Sequence, residues 1–377
     1  MLNSLLGPNI FLWVLFFLLC LTSLILILYD WLVYFRLARY KDKTETRKEE
    51  GVSVVICARN EYYHLQDNLP AILSQDYPNF EVIVVNNSSD DDSSFLLSQM
   101  AEKDHRLKIV EIQENLNFFN GKKFPLSIGI KSAKNDLILL IDADCKPSSD
   151  QWIRKMQQSF DKNIKVVLGY GAYARRKGLL NILIRFDTVQ IAIQYLSWAL
   201  AGSPYMGVGR NMAYRKSLFY ENQGFISHYK ILSGDDDLFV NRVSRKNNTH
   251  INIDPQSITL SEPETKFSNW VIQKRRHLST GKYYRFKHKL MLGTHSVSEV
   301  LFWGLTIGLV SILYNWIIIL SIFVVRTTSQ LIVNRKCMRH LGEKRLWGFS
   351  PLLSLEMILL NTIFAFLNIV NKKNRWK

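Results

Sequence analysis

The 377-residue sequence is poor in cysteine, with only Cys20, Cys57, Cys145 and Cys337. None of the four stands at a CxxC or Cys/His spacing, so neither a zinc site nor a disulfide framework is indicated and a reducing compartment is the default. Cys145 follows an Asp-Ala-Asp run whose carboxylates would raise its pKa, so it reads as a small packing residue rather than a thiolate nucleophile. Acidic residues are scarce as well, 32 Asp+Glu against 48 Lys+Arg, for a net charge of +16. That surplus suggests a polyanionic partner: nucleic acid, a membrane surface or a phosphorylated substrate. What the chain does not lack is apolar content. With 47% hydrophobic and 21% charged residues, a mainly disordered chain is excluded.

Charge is absent altogether from Ile10 to Leu28, IFLWVLFFLLCLTSLILIL, and about 20 apolar residues are what a helix needs to cross a bilayer. A spanning helix is expected. A cleaved signal peptide is disfavoured, because no basic segment precedes the run and no small-residue cleavage site follows it. Arg36, Arg39, Lys41 and Lys43 come directly after it, which by the positive-inside bias places the following segment in the cytoplasm. A second apolar block runs from Val297 to Val325. Its roughly 30 residues would reach about 45 Å against a core of about 30 Å. The expectation is therefore a pair of helices broken near Tyr314-Asn315, the second extending through Arg326 towards Val333. A basic loop with Arg335, Lys336, Arg339, Lys344 and Arg345 follows and fits a cytoplasmic position. The last apolar stretch, Pro351 to Val370, contains Glu356, Asn361 and Asn368 and precedes the basic tail KKNRWK. It could span, re-enter or lie along the surface.

Between about Tyr40 and Leu290 the pattern changes. The runs VSVVICA, EVIVVN, LKIVEI and DLILLID are dense in aliphatic residues without polar alternation, as strands buried on both faces of a parallel sheet are. His64 to Ser74, Ser93 to Ala101 and Lys123 to Ser132 are each long enough for a crossover helix. The succession predicts an α/β, Rossmann-like sheet. Ligands of such sheets bind beyond the carboxyl ends of the strands, where Ala58-Arg59-Asn60-Glu61, Asn86-Asn87-Ser88-Ser89-Asp90 and Asp142-Ala143-Asp144 stand. No GxGxxG follows the first strand and no GxxxxGK[ST] occurs, which argues against a dinucleotide or P-loop site.

Three clusters carry chemistry. Asp142 and Asp144, two carboxylates at the end of an apolar strand, suit one hard divalent cation that also neutralises a diphosphate. Asp235-Asp236-Asp237 repel one another, so at least one of their pKa values is raised towards that of a general base; the same run could begin a helix. From Thr265 to Ser298 there is no acidic residue, while Lys266, Lys274, Arg275, Arg276, Lys282, Arg285, Lys287 and Lys289 accumulate. Lying just before an apolar span, that stretch reads as contact with anionic lipid rather than nucleic acid, with a subset such as Arg275 or Arg276 available for phosphate.

In order along the chain, these segments resemble the membrane-bound glycosyltransferases of family 2. VSVVICARNE is similar to that family's opening strand and nucleotide loop, VIVVNNSSDD to its VDDGSTD segment, GKKFPLSIGI to its GKAxALNxGI and LLIDADC to its DxD strand. VGRNMAYRKSLF resembles its acceptor-side segment, SGDDDLFVNRV its GED motif, and WVIQKRRH its QxxRW motif, with Gln273 and Arg276 in place. There are departures. Asn86 and Asn87 stand where the family has two aspartates, His277 replaces the tryptophan of QxxRW, and Pro125 interrupts the GKAxALN pattern.

The resemblance implies an inverting GT-A transferase. Asp236 would be the catalytic base, and Asp142 and Asp144 would hold Mg2+ or Mn2+ on the donor. Ala58, Asn60, Glu61, Asn87, Lys122 and Asp142 would bind the nucleotide sugar, with Asp235, Gln273 and Arg276 on the acceptor and diphosphate side. His277 and the small number of apolar helices favour single transfer over polymerisation. The implied partners are a nucleotide sugar, a lipid-linked or glycan acceptor and membrane lipids, without nucleic acid. The implied organisation is a membrane segment at 1–38, a cytoplasmic catalytic domain at 39–294 and a membrane region at 295–377, in the cell membrane. A nucleotidyltransferase and a catalytically silent membrane scaffold are the competing readings. The first lacks a Gly-rich basic activating loop, and the second has no need of Asp142, Asp144 and Asp236 together.

Overall fold

A computed structural model describes residues 8–41, 49–113 and 121–370. Lys43 and the basic tail KKNRWK lie outside the described residues. The chain forms two compact units, Met1–Tyr40 with Phe286–Phe366, and Lys41–Arg285 with Leu367–Lys377.

The second unit is built on a seven-stranded sheet ordered β3-β2-β1-β4-β8-β6-β9. Its strands are β1 (Val52–Ala58), β2 (Phe80–Asn87), β3 (Leu107–Ile112), β4 (Leu137–Leu140), β6 (Val166–Leu168), β8 (Met212–Arg215) and β9 (Thr249–Ile251). The four apolar runs of the sequence form its parallel half, with β1 hydrogen-bonded between β2 and β4. Helices Tyr62–Leu73, Ser93–Lys103 and Lys123–Ser132 cross between them. Pro125 sits in the first turn of the last of these, where its missing N–H costs no helical hydrogen bond. Gly129, on the same helix, lets it lie against β1 and β2, since a Cβ there would come within 2.6 Å of Val55 and 2.9 Å of Val85.

Beyond β4 the sheet is mixed. β8 is antiparallel to both β4 and β6, and β6 is parallel to β9. A second sheet, β5-β10-β7, joins Cys145–Pro147, Thr259–Ser261 and Gly171–Tyr173. Each of these strands is three residues long, too short to show a period.

The first unit holds helix Pro8–Leu28, continued by a π-helical stretch Tyr29–Tyr34 and by Phe35–Ala38, helices Phe286–Ser311 and Trp316–His340, and helix Ser350–Val370 as far as Phe366. Arg335, Lys336 and Arg339, expected in a loop, lie in the last turns of Trp316–His340, which continues about two turns beyond Val333. The chain turns at Ile312–Asn315, with Leu313 and Asn315 at positive φ (56° and 42°), where the sequence predicts the break. Among the described residues, Ile10–Ala38, Trp316–His340 and Trp347–Asn368 are long and apolar enough to cross a membrane. Helix Phe286–Ser311 is not one of them. Its Glu299 is used inside the unit: Arg326, on the next helix, bonds Glu299 at 2.6 Å and Asp30 at 3.2 Å, and Ser329 donates to Asp30 at 2.9 Å. Charges paired in this way are how apolar bundles tolerate ionisable groups.

Candidate functional site

The site forms where the parallel strands end. β1 and β2 finish level, Ala58 paired with Asn86, and the loops after them are bolted together. Asn60, at φ 55°, accepts from the N–H of Asp90 at 2.7 Å, and its own N–H donates to Ser89 at 2.9 Å. Asp91 accepts from the N–H of Tyr62 at 3.0 Å. Glu61 is engaged by His64 at 2.5 Å.

The two asparagines differ. Asn86 is fully buried; its amide donates to Ser94 at 2.7 Å and to Glu111 at 3.0 and 3.2 Å, and its carbonyl accepts from Ser89 at 2.5 Å. It organises the loop and has nothing left for a ligand. Asn87 is half-buried, and its side chain has no hydrogen bond to another described residue.

After β4, Asp142-Ala143-Asp144 makes a turn closed by the Cys145 N–H on the Asp142 carbonyl at 3.0 Å. Asp142 is ion-paired with Lys122. Burial would raise the Asp142 carboxyl, but Lys122, Arg210 and Arg276 outweigh it and hold its pKa below the ordinary range. Burial likewise opposes the Lys122 charge, and Asp142 and Asp235 overcome it, so the ammonium persists. Asp144 has no such partner: burial and the neighbouring Asp142 push it up. A carboxylate in that position favours a nearby cation. Ligand atoms of Asp142, Asp144 and Cys145 lie within 4.8 Å of one another. The two carboxylates suit a hard divalent ion. The buried thiol, driven well above its ordinary pKa first by desolvation, stays protonated and donates to Asp144 at 3.2 Å.

The three consecutive aspartates have three environments. Asp237 is buried and tied by Thr280 and, at 2.8 Å, by the Tyr284 hydroxyl. Asp236 caps helix Asp237–Val243 and accepts two backbone N–H groups, that of Asp237 at 2.7 Å and that of Gly209 at 2.8 Å. Burial, then Asp235 and Asp237, push its pKa up to about 7. Asp235 is half-buried and acts electrostatically on Lys122 and Lys123. Lys123 donates to the carbonyls of Ile231 and Ser233, at 2.6 Å in the second case, and so tethers the loop that carries them.

Residues 53–222 match the family model described as glycosyl transferase family 2. The chain carries a glycosyl transferase family 2 domain. The domain has the α/β, Rossmann-like GT-A fold. A solved mannosyltransferase from Pyrobaculum calidifontis, in complex with GDP-Man and Mn2+, shares the fold at TM-score 0.61, with 15% identity over 96% of this chain and 99% of that one. An uncharacterized glycosyltransferase of Haemophilus influenzae is 30% identical over 157 residues, 41% of this chain and 44% of its own length. A poly-beta-1,6-N-acetyl-D-glucosamine synthase of Staphylococcus epidermidis is 31% identical over 150 residues, 40% of this chain and 35% of its own. The chain thus matches less than half the length of these curated relatives.

The structure gathers Asp142, Asp144 and Lys122, from the matched residues, with Asp235 and Asp236, which follow them in the chain, around the strand ends. Gln273 and Arg276, on helix Phe267–Leu278, reach the same region: Gln273 donates to the Tyr173 hydroxyl at 3.4 Å, and the charge of Arg276 acts on Asp142. His277 is exposed. The sequence did not single out Tyr173, Thr280 or Tyr284, and Arg210 and Lys123 stood only inside the segments VGRNMAYRKSLF and GKKFPLSIGI, without a role of their own. Arg210 had a signal, a charged residue beside Asn211 in the otherwise small and apolar MGVGRNMA. The others act through contacts made across 40 residues or more.

Proposed function

We propose that the chain is a membrane-bound inverting glycosyltransferase. It moves a sugar from a nucleotide-diphosphate sugar, a UDP-sugar in the first instance, to a hydroxyl of a lipid-linked or envelope-glycan acceptor, one sugar per acceptor. The observation that carries this reading is Asp236. A carboxyl with a pKa of about 7, held by two backbone N–H groups beside a carboxylate pair, is matched to general-base work at neutral pH.

In this reading Asp236 takes the hydroxyl proton as the acceptor oxygen attacks the anomeric carbon from the side opposite the diphosphate. One displacement inverts that centre. The two N–H bonds fix the plane of the carboxylate and leave each oxygen a lone pair for the proton. Ala58, Asn60, Glu61 and Asn87 line the nucleotide side, and Lys122, kept charged by Asp142 and Asp235, faces the phosphates. Asp142 and Asp144 would hold Mg2+ or Mn2+, which when bound neutralises charge on the leaving diphosphate. Asp235, Gln273 and Arg276 border the acceptor and diphosphate side. The catalytic domain, residues 39–294, would lie in the cytoplasm at the cell membrane, with the basic stretch Thr265 to Ser298 against anionic lipid.

The test is Asp236→Asn in the purified full-length protein, with a panel of UDP-, GDP- and dTDP-sugars and Mn2+. Donor turnover should fall by about 100-fold or more while nucleoside diphosphate affinity holds. Near-normal turnover in the variant would remove Asp236 as the base.

A further inference from the structure

Arg210 is set into the site more firmly than any motif requires, and its charged end is left without a partner. Its backbone is fixed from several sides. The Gly209 N–H before it donates to Asp236, its own carbonyl accepts from Thr259 at 2.9 Å, and Asn211 after it bonds the carbonyls of Tyr170 and Ser257 at 2.8 Å each and accepts from Trp152 at 3.0 Å. The side chain passes over β7 where Gly171 leaves room, since a Cβ there would stand 2.5 Å from the Arg210 Nε. The guanidinium then lies over the Tyr173 ring, 4.6 Å from its centroid, and the Tyr173 hydroxyl accepts from Gln273.

Packing and the ring face hold this group in place; no ion pair does so. Nε is buried with no hydrogen-bond partner, and among the described residues no carboxylate or carbonyl takes up the other N–H groups. A guanidinium carries five donors in a planar fork suited to phosphate or carboxylate oxygens, and leaving buried donors unpaired is costly. The field of Arg210 nevertheless reaches both Asp142 and Asp144, which places it at the same strand ends.

We propose that Arg210 is an anion-binding residue of the site, whose free N–H groups take a negatively charged oxygen of the substrate. That oxygen comes either from the donor diphosphate or from an acidic group on the acceptor. Only the choice between these two sources rests on the function proposed above.

The test is calorimetric titration of the full-length protein in detergent, comparing wild type with Arg210→Gln. The probes are inorganic phosphate without metal or nucleotide, then UDP and GDP each with Mn2+. Loss of one charge-assisted contact should weaken phosphate binding by about 10- to 100-fold. A parallel loss for UDP or GDP assigns the oxygen to the donor. Loss for phosphate alone assigns it to an acidic group on the acceptor. Gly171→Ala, which keeps the charge but displaces the guanidinium, should reproduce the loss with an unchanged thermal midpoint, so a folding defect in Arg210→Gln does not decide the matter. Equal binding of every probe by wild type and both variants overturns the proposal, as does wild-type protein that binds none of them. Wild-type protein that binds phosphate through Arg210 but no nucleotide leaves the anion site standing and sinks the nucleotide-sugar reading.

Discussion

At the scale of single residues, Asp236 links the chemistry of the site to its stability. If it is the base, kcat/KM should fall about tenfold per pH unit below about 7 and level off above it. The same shift has a thermodynamic sign. Because the folded pKa lies above the ordinary 3.8, the folded state binds a proton that the unfolded chain releases. The stability so contributed is complete below pH 3.8 and is lost as pH rises through about 7. Asp236→Asn, neutral throughout, should therefore gain in thermal midpoint relative to wild type as pH rises from about 3.5 to 8, with part of the gain already present at pH 5, although turnover falls by about 100-fold or more. A midpoint difference that does not change with pH would mean that the carboxyl is not shifted. Asn86 makes a second residue-scale case. It departs from the family's aspartate because Glu111 sits 3.0 and 3.2 Å from its amide nitrogen. Asn86→Asp should destabilise the protein by about 1–3 kcal/mol by replacing a donor with a second carboxylate. Adding Glu111→Gln should restore most of the loss in denaturant melts. Asp142 and Asp144 stood out as candidates because they close an apolar run, and Asp236 because it lies in a run of three aspartates ahead of one. The internal role of Asn86 was not, because Glu111 reaches it from another strand.

At the scale of elements, legibility followed length. β1 and β2, at seven and eight residues, are long enough to declare burial on both faces, and β4 could be read because Ile141 and Asp142 extend its apolar run; β3 departs from that reading, because at the edge of the sheet it buries Leu107 and exposes Lys108 and Glu111. The short strands β5 to β10 are fixed by neighbours rather than by their own pattern, so the antiparallel insertion of β8 could not be seen. That insertion delivers Gly209 and Arg210 to the site. The helix Lys123–Ser132 does a comparable job through Lys123, whose ammonium holds two carbonyls of the loop before Gly234. Lys123→Met would leave those carbonyls unpaired, at about 1–3 kcal/mol. Amide hydrogen exchange should then accelerate at Leu232 to Asp235 while the amides of β1 and β2 keep their protection. Unchanged exchange in the loop would show that the tether is redundant.

At the scale of the whole molecule, the +16 surplus and the apolar helices pose one question of topology. By composition alone, helix Phe286–Ser311 does not cross, and Trp316–His340 would then carry the basic segment from Arg335 to Arg345, helical as far as His340, to the side of the membrane opposite the end of helix Ile10–Ala38. Its packing argues the other way. Phe302 stacks on Phe323 of the next helix, and Leu19, Leu26, Phe302, Leu309 and Ile319 form one buried cluster. Glu299, an acidic residue within this helix, is bonded to Arg326 within the bundle. A helix whose charge is neutralised inside can cross where hydropathy alone forbids it. The pair would then return this basic segment to the same side as the end of helix Ile10–Ala38, in agreement with the positive-inside bias. In a background lacking the four native cysteines, a cysteine at Leu313 should react with a membrane-impermeant maleimide in intact cells, and one at Lys344 only after permeabilisation. The reverse pattern would show that Phe286–Ser311 stays on one side. Arg326→Met, which strands Asp30 and Glu299 without their cation, should cost about 3–5 kcal/mol in detergent unfolding and blur the labelling pattern, because the pairing that lets the helix cross is gone.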